Sequence, residues 1–297
     1  MIKVRIPATT ANMGPGFDTF GMALEFYNEI EFIEIEEGFE FYIEGNDTDI
    51  PIEENLIINS LLKVLKKHNY NIKGFKINIS KCDIPLSRGM GSSSSCIIGA
   101  LLAANALLGN KLSKEDIINE ATEIEGHPDN VVPAYLGGML ISTMNEGQVV
   151  YSSVHVPESL RMIVMIPNFK TNTEEAREVL PASYSIEDCI FNISRAAVLV
   201  NVLNNNELDK LRVAMQDKIH QDYRKKLINN SDAVFHKSQE LGALAEFVSG
   251  SGSTLMSIIH KDNIEFVNKM KEFLSQLDDE WKIHLLKPDF EGAILLS

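Results

Sequence analysis

Two glycines and four serines, Gly89-Met-Gly-Ser-Ser-Ser-Ser95, run directly into the most apolar stretch of the chain, Cys96 to Leu108. Glycines let the backbone fold closely around a ligand where a side chain would intrude. The serines open a helix whose first N–H groups have no partner within it, next to the positive end of its dipole. That is an anion site by construction. Upstream, Phe75, Ile77 and Ile79 alternate as a strand, so the unit is strand, tight loop, apolar helix. No Gly-Lys-Ser/Thr follows, which excludes a Walker A loop. A serine-rich turn capping a core helix accounts for the same residues, although four serines exceed what one cap requires.

The 297 residues suffice for one large domain or two medium ones. At 44% hydrophobic and 23% charged, they supply ample material for a core. Lys and Arg number 27 against 42 Asp and Glu, a net charge of −15. A field of that sign argues against a nucleic-acid or anionic-membrane surface. It leaves a nucleotide open, because backbone amides and one Mg²⁺ can hold phosphates. The start, Met1 to Ile6, alternates apolar and basic residues and lacks a signal-peptide run. Cys96–Leu108 is too short to span a bilayer. Cys82, Cys96 and Cys189 are odd in number and far apart. They read as reduced thiols in a cytoplasm, two of them buried as small hydrophobes.

Residues 2–6 alternate as a strand, and a loop of small residues is expected over 7–16. Residues 24–35 and 39–44 read as a hairpin around Glu37-Gly38. Ile57, Leu61, Val64 and Leu65 predict a helix over 55–68, and Ser113 with Asp116 a capped helix beyond it. Strands at 138–144 and 148–155 close this half. The second half opens with an apolar run at 161–166. Helices are expected at 174–180, 186–204, 207–219, 231–240 and 263–276, and strands at 245–249, 254–260, 282–286 and 292–296. Strands and helices alternating around an antiparallel sheet predict an α+β chain divided near residue 155.

Three more stretches carry polar chemistry. Glu123-Ile-Glu-Gly-His-Pro-Asp-Asn130 sets three carboxylates, an imidazole and an amide around a helix break. Oxygen ligands of this kind suit Mg²⁺, and one His without a second His or a Cys at ligand spacing argues against zinc. A polar helix end would hold the same residues. Pro7 to Asp18 presents Asn12 and Asp18. Val248-Ser-Gly-Ser-Gly-Ser-Thr254 places glycines where a backbone approaches something closely, or where a hairpin is tight.

In chain order, Pro-Ala-Thr-x-Ala-Asn-x-Gly-x-Gly-Phe-Asp (7–18), Pro-x-x-x-Gly-x-Gly-Ser-Ser (85–93), Glu-Gly-His-Pro-Asp-Asn (125–130) and Ser-Gly-Ser-Gly (249–252) resemble the GHMP kinases. The first and third look specifically like the homoserine kinases among them. The resemblance implies an N-terminal domain like domain 2 of ribosomal protein S5 (1–155) and a ferredoxin-like C-terminal domain (156–297), with ATP between. It assigns the nucleotide phosphates to Pro85, Leu86, Ser87, Arg88, Gly89, Met90, Gly91, Ser92, Ser93, Ser94 and Ser95. Mg²⁺ would be held by Ser93 and Glu125, with Glu123 and Glu120 as alternatives to the latter.

For the substrate, L-homoserine on the route to threonine, the matching positions are Asn12, Asp18, His127, Arg177, Arg224, Gly250 and Gly252. Two guanidiniums can clamp an α-carboxylate while Asp18 takes the ammonium. Asn130, Asp129 and Arg177 form the implied catalytic set, Asp129 either as base or as the group that orients His127 or a metal-bound water. The family's transition states are loose, so positioning and charge neutralisation supply most of the catalysis. Relatives are often homodimers. Another alcohol, such as mevalonate, a sugar or shikimate, is one alternative, against which the paired arginines with Asp18 favour an amino acid. A catalytically silent member is a second, against which the phosphate and metal groups are all present.

Overall fold

The computed structural model describes residues 1–296. In chain order it contains β1 (Ile2–Ala11), β2 (Phe20–Ile35), β3 (Gly38–Ile43), β4 (Asn46–Asp47), α1 (Leu56–Lys67), β5 (Gly74–Cys82), α2 (Ser92–Leu107), α3 (Lys114–Glu125), α4 (Pro128–Leu136), β6 (Met139–Asn145) and β7 (Gln148–Val154). The second half contains β8 (Leu160–Pro167), α5 (Thr173–Glu178), α6 (Ile186–Asn204), α7 (Leu211–Ala214), α8 (Gln221–Arg224), α9 (Ser231–Glu240), β9 (Ala245–Val248), β10 (Leu255–His260), α10 (Phe266–Leu274), β11 (Trp281–Leu286) and β12 (Ile294–Leu296). The architecture is the α+β arrangement expected.

The first sheet runs β12-β1-β2-β5-β3-β4, with β6 and β7 attached beside the start of β2. Its helices bury one face: Ile97, Ile98 and Leu101 of α2 meet Ile6 and Ile30 of the sheet in a common core. Helix α2 is buried almost all round, as its uncharged sequence requires. In the second sheet the order is β11-β8-β10-β9, with helices after β8 and after β10. That is the β-α-β-β-α-β pattern with spatial order 4-1-3-2. The continuous apolar run of β8 follows from burial on both faces. Met162, Val164 and Ile166 face a core shared with Ala8, Met13 and Phe20 of the first half. Ile163 and Met165 face α9 and α10 on the other side.

Three sequence expectations need correction. The loop expected from Pro7 is strand as far as Ala11, paired with β2 across an irregularity between Pro7 and Ala8. The strands around Glu37-Gly38 exist but are not a hairpin, because β5 lies between them, antiparallel to β2 and parallel to β3. The connection crosses the start of β5 at Gly74, where a Cβ would lie 2.3 Å from Gly38 O. Finally, the helix expected over 207–219 shrinks to a short turn and α7. Asp217 accepts the N–H groups of Ile219, His220 and Gln221, a local side-chain alternative to helical bonding.

β12 follows the second sheet's strands in sequence yet pairs with β1, so the chain end returns to the first sheet. All three cysteines are free and partly buried, which corrects the expectation that two are buried: Cys82 and Cys96 pack at the margin of the first core rather than inside it. Among the described residues no helix is long and apolar enough to cross a membrane.

Candidate active site

The loop between β5 and α2 is held by two close approaches. Gly91 caps α2 with φ +67, and a Cβ there would lie 1.9 Å from Thr9 Oγ1. Gly89, at φ +71, passes so near the 249–252 turn that its Cβ would meet Ser249 O at 2.1 Å. Pinned in this way, Ser87, Gly89, Gly91, Ser92 and Ser93 line one cavity of about 260 Å³, with the start of α2 opening on it.

The other loop residues point elsewhere. Leu86 is exposed and Met90 belongs to the shared core. Pro85 and Arg88 face a separate cavity beside Trp281, where Arg88 donates to the carbonyls of Pro167 and Asn168. Ser95 bonds Ser92 O within the helix.

On the facing side, α3 ends at Glu125 because Gly126 takes a left-handed conformation, and Pro128 starts α4 at its first position. Glu125 is thereby aimed at the loop, accepting from Ser93 Oγ at 2.6 Å and Ser94 Oγ at 2.9 Å. Glu120 and Glu123 instead pair with Lys67 and Lys63 of α1, off the cavity. Mg²⁺ takes one or two carboxylates and keeps the rest of its shell for phosphate and water. A hydroxyl and a carboxylate already in contact fit that requirement. Among the described residues no group of three or more His, Cys, Asp or Glu forms a fuller cage.

Asp129 and Asn130 lie in the first turn of α4, nearly buried. Asp129 Oδ1 is 2.5 Å from His127 Nδ1, and that hydrogen bond holds the imidazole pKa above its ordinary 6.5. Asn130 Oδ1 accepts from Thr9 Oγ1 at 2.7 Å, which fixes the sense of the amide, and its nitrogen donates to Asp129 Oδ1 at 3.4 Å. β2 comes close enough here that a Cβ on Gly21 would lie 1.7 Å from Asp129 O. Gly21→Ala is therefore expected to destabilise the fold by about 1–3 kcal/mol, an overpacking cost, and to impair turnover by displacing α4. Urea unfolding followed by steady-state kinetics measures both.

The remaining wall carries charges of both signs. Arg177 grips Asp18 through both terminal nitrogens, at 3.0 and 2.9 Å. Arg224 is 2% exposed and donates to the carbonyls of Ala176 and Gly250. Burial, with Arg177 nearby, lowers its pKa to about 10, so it stays charged. Asn12 shapes the turn by accepting Asp18 N–H at 2.8 Å, and Gly250 N–H bonds Ala11 O.

Asn12, Asp18, His127, Asp129, Asn130, Arg177, Arg224 and Gly250 thus join the loop residues around one cavity. Gly252 does not; it packs on Ile228. Thr173 and Ser251 line the cavity without having been singled out. Both sit inside stretches that drew attention, but spacing gave no side-chain direction. Thr9, Phe17 and His220 support the wall from behind, and only their adjacency to Asn12, Asp18 and Arg224 in sequence pointed to them.

One side of the cavity therefore suits a polyphosphate with a divalent ion, the other a small zwitterion, with Asn130, Asp129 and His127 between. The model for the GHMP kinases N terminal domain matches residues 55–138, and that for GHMP kinases C terminal matches 198–276. The chain is 62% identical to the homoserine kinase of Clostridium novyi (strain NT), over 100% of this chain and 99% of that one. It is 55% identical to the homoserine kinase of Clostridium kluyveri, with the same coverage. Its fold superposes on the crystal structure of homoserine kinase from Cytophaga hutchinsonii with a TM-score of 0.88 at 26% identity, covering 99% of this chain and 97% of that one.

Proposed function

Because the chain belongs to the homoserine kinases of the GHMP kinase family, we propose that it transfers the γ-phosphoryl group of ATP to the side-chain hydroxyl of L-homoserine. The products are O-phospho-L-homoserine and ADP. The observation that carries this reading is the single cavity that joins the α2 start and the Ser93–Glu125 pair to Asp18, Arg177 and Arg224. Phosphates and an amino acid are thereby brought within reach of each other.

In this reading the loop amides and serines receive the phosphates. Ser93 and Glu125 would hold Mg²⁺, which would supply neutralisation of the phosphate charge. Arg177 and Arg224 take the α-carboxylate and Asp18 the ammonium. The substrate hydroxyl oxygen attacks the γ-phosphorus as the bond to the β–γ bridging oxygen breaks. Its proton passes to an oxygen of the transferred group. Asn130 donates to that group in the loose transition state. Asp129 orients His127 through the oxygen bonded to the imidazole, and we read it in that role rather than as the base.

ADP release measured with L-homoserine against a panel of alcohols, with and without Mg²⁺, tests the assignment. Equal or faster turnover of mevalonate, a sugar or shikimate would overturn it. Glu125→Gln is expected to raise the Mg²⁺ concentration for half-maximal rate by at least about tenfold, as read by Mg²⁺ titration. Glu123→Gln, on the exposed pair with Lys63, should leave that midpoint in place.

We further assign the chain to the cytoplasm, divide it near residue 155, and read it as a homodimer. The exposed Ile186, Ile190 and Ile193 on one face of α6 support the last point, and sedimentation of an Ile190→Glu variant tests it.

A further inference from the structure

Phe17 lies in the loop between β1 and β2, half-buried, and three groups gather on its ring. Arg224 Cζ is 4.9 Å from the ring centroid and Arg177 Cζ 5.6 Å. The imidazole of His220 stacks on it at 5.3 Å with 25° between the planes. We propose that Phe17 is a positioning residue, the platform that holds both guanidiniums ready for the substrate carboxylate. This rests on the amino-acid reading of the site.

The physical need is clear. Two guanidiniums that share a carboxylate must be held close before it arrives, against their own repulsion. Among the described residues Arg224 makes no ion pair; its Nε and Nη1 are spent on the Ala176 and Gly250 carbonyls. Arg177 is held by Asp18 only until a substrate ammonium claims that carboxylate. At that moment Arg177 exchanges partners, from Asp18 to the incoming carboxylate. A negative ring face attracts a guanidinium without competing for its N–H donors, so Phe17 keeps both cations in place through the exchange.

The platform itself is fastened. His220 is fully buried, with Nε2 2.8 Å from Gly14 O. Burial lowers its pKa below 6.5, so the neutral ring adds no third positive charge to the stack. Asp217 fixes the turn carrying His220 through three backbone N–H groups and accepts from Asn192. Asn192 in turn reaches Pro15 O. Gly14 and Pro15 are therefore bolted on both sides, and Phe17 follows two residues later.

The test compares Phe17→Leu with Phe17→Tyr, reading kcat and the separate KM values for L-homoserine and ATP in the ADP-release assay. Leucine keeps the bulk and removes the ring face; tyrosine keeps both. Phe17→Leu is expected to raise the KM for homoserine about 10–30-fold, with kcat and the KM for ATP within about twofold, while Phe17→Tyr stays near wild type. Should the leucine variant fail to fold, Phe17→Met is read in the same way. An unmoved homoserine KM, an equal loss in the ATP parameters, or a tyrosine variant as impaired as leucine would overturn the proposal. A wild-type enzyme without homoserine turnover would instead sink the kinase reading, and is told apart by the first measurement of the series.

Discussion

Asn130→Ala is expected to slow the phosphoryl-transfer step by about 10²–10³-fold, the usual cost of losing one oriented donor to transition-state charge. The geometry makes the expectation specific. Thr9 Oγ1 donates to Asn130 Oδ1 at 2.7 Å, so the amide has a fixed sense; one N–H makes a long bond to Asp129 Oδ1 at 3.4 Å, and in the proposed mechanism the other donates to a phosphoryl oxygen. Asn130→Asp keeps the acceptor and loses the donor, and should fail as badly as alanine. Asp129→Ala should behave differently. Its Oδ1 is occupied by His127 at 2.5 Å, and its Oδ2 is buried with no partner among the described residues. Removing the carboxylate frees the imidazole, which loosens homoserine binding and raises its KM. The chemical step should slow by less than about tenfold, below the range of general-base catalysis. Single-turnover kinetics at saturating ATP separate the two. If Asp129→Ala alone removes several orders of magnitude with homoserine binding unchanged, Asp129 is the base.

How much of this was legible in the sequence depended on whether a signal was local. The capped start of α3 was, because Ser113 and Asp116 satisfy each other's groups three residues apart, and both halves of the capping box form. So was the glycine-turned loop that opens α2, since glycine placement and an uncharged helix are read directly. The direction of each loop side chain was not. Arg88 turns to Pro167 and Asn168, on the other half of the chain, and no local pattern encodes a partner 79 residues away. Strand pairing around Gly38 failed for a related reason. Alternation identified both strands, but what separates them is a third strand admitted by the missing side chain at Gly74. The resemblance favoured Glu125 but left Glu123 and Glu120 as alternatives, and local sequence could not show that α1 claims those two through Lys63 and Lys67. The ring of Phe17 would pass for ordinary loop packing without the two arginines that gather on it from elsewhere in the chain.

Gly91→Ala is expected to lower kcat/KM by at least about 10²-fold, the scale of an ångström-sized misplacement of reacting groups, and to reduce stability by about 1–3 kcal/mol. Two effects add. The residue sits at φ +67, where a Cβ is strained, and that Cβ would occupy a point 1.9 Å from Thr9 Oγ1. Relief requires Thr9 to rotate or retreat, and Thr9 is the group that orients Asn130. A change in the Gly89–Ser95 loop is thus transmitted to Asn130, which in the proposed mechanism contacts the transferring group. The double variant Gly91→Ala/Thr9→Ala distinguishes transmission from simple damage, because neighbours that share a contact are not additive. Deleting the hydroxyl removes the closest clash, so unfolding in urea should show part of the stability restored. Activity should stay low, since Asn130 has now lost its anchor for good. Recovery of both together would mean that the clash, rather than the orientation of Asn130, limits the enzyme. A near wild-type rate in Gly91→Ala itself would mean that the loop does not need the close approach to Thr9 to hold its ligand.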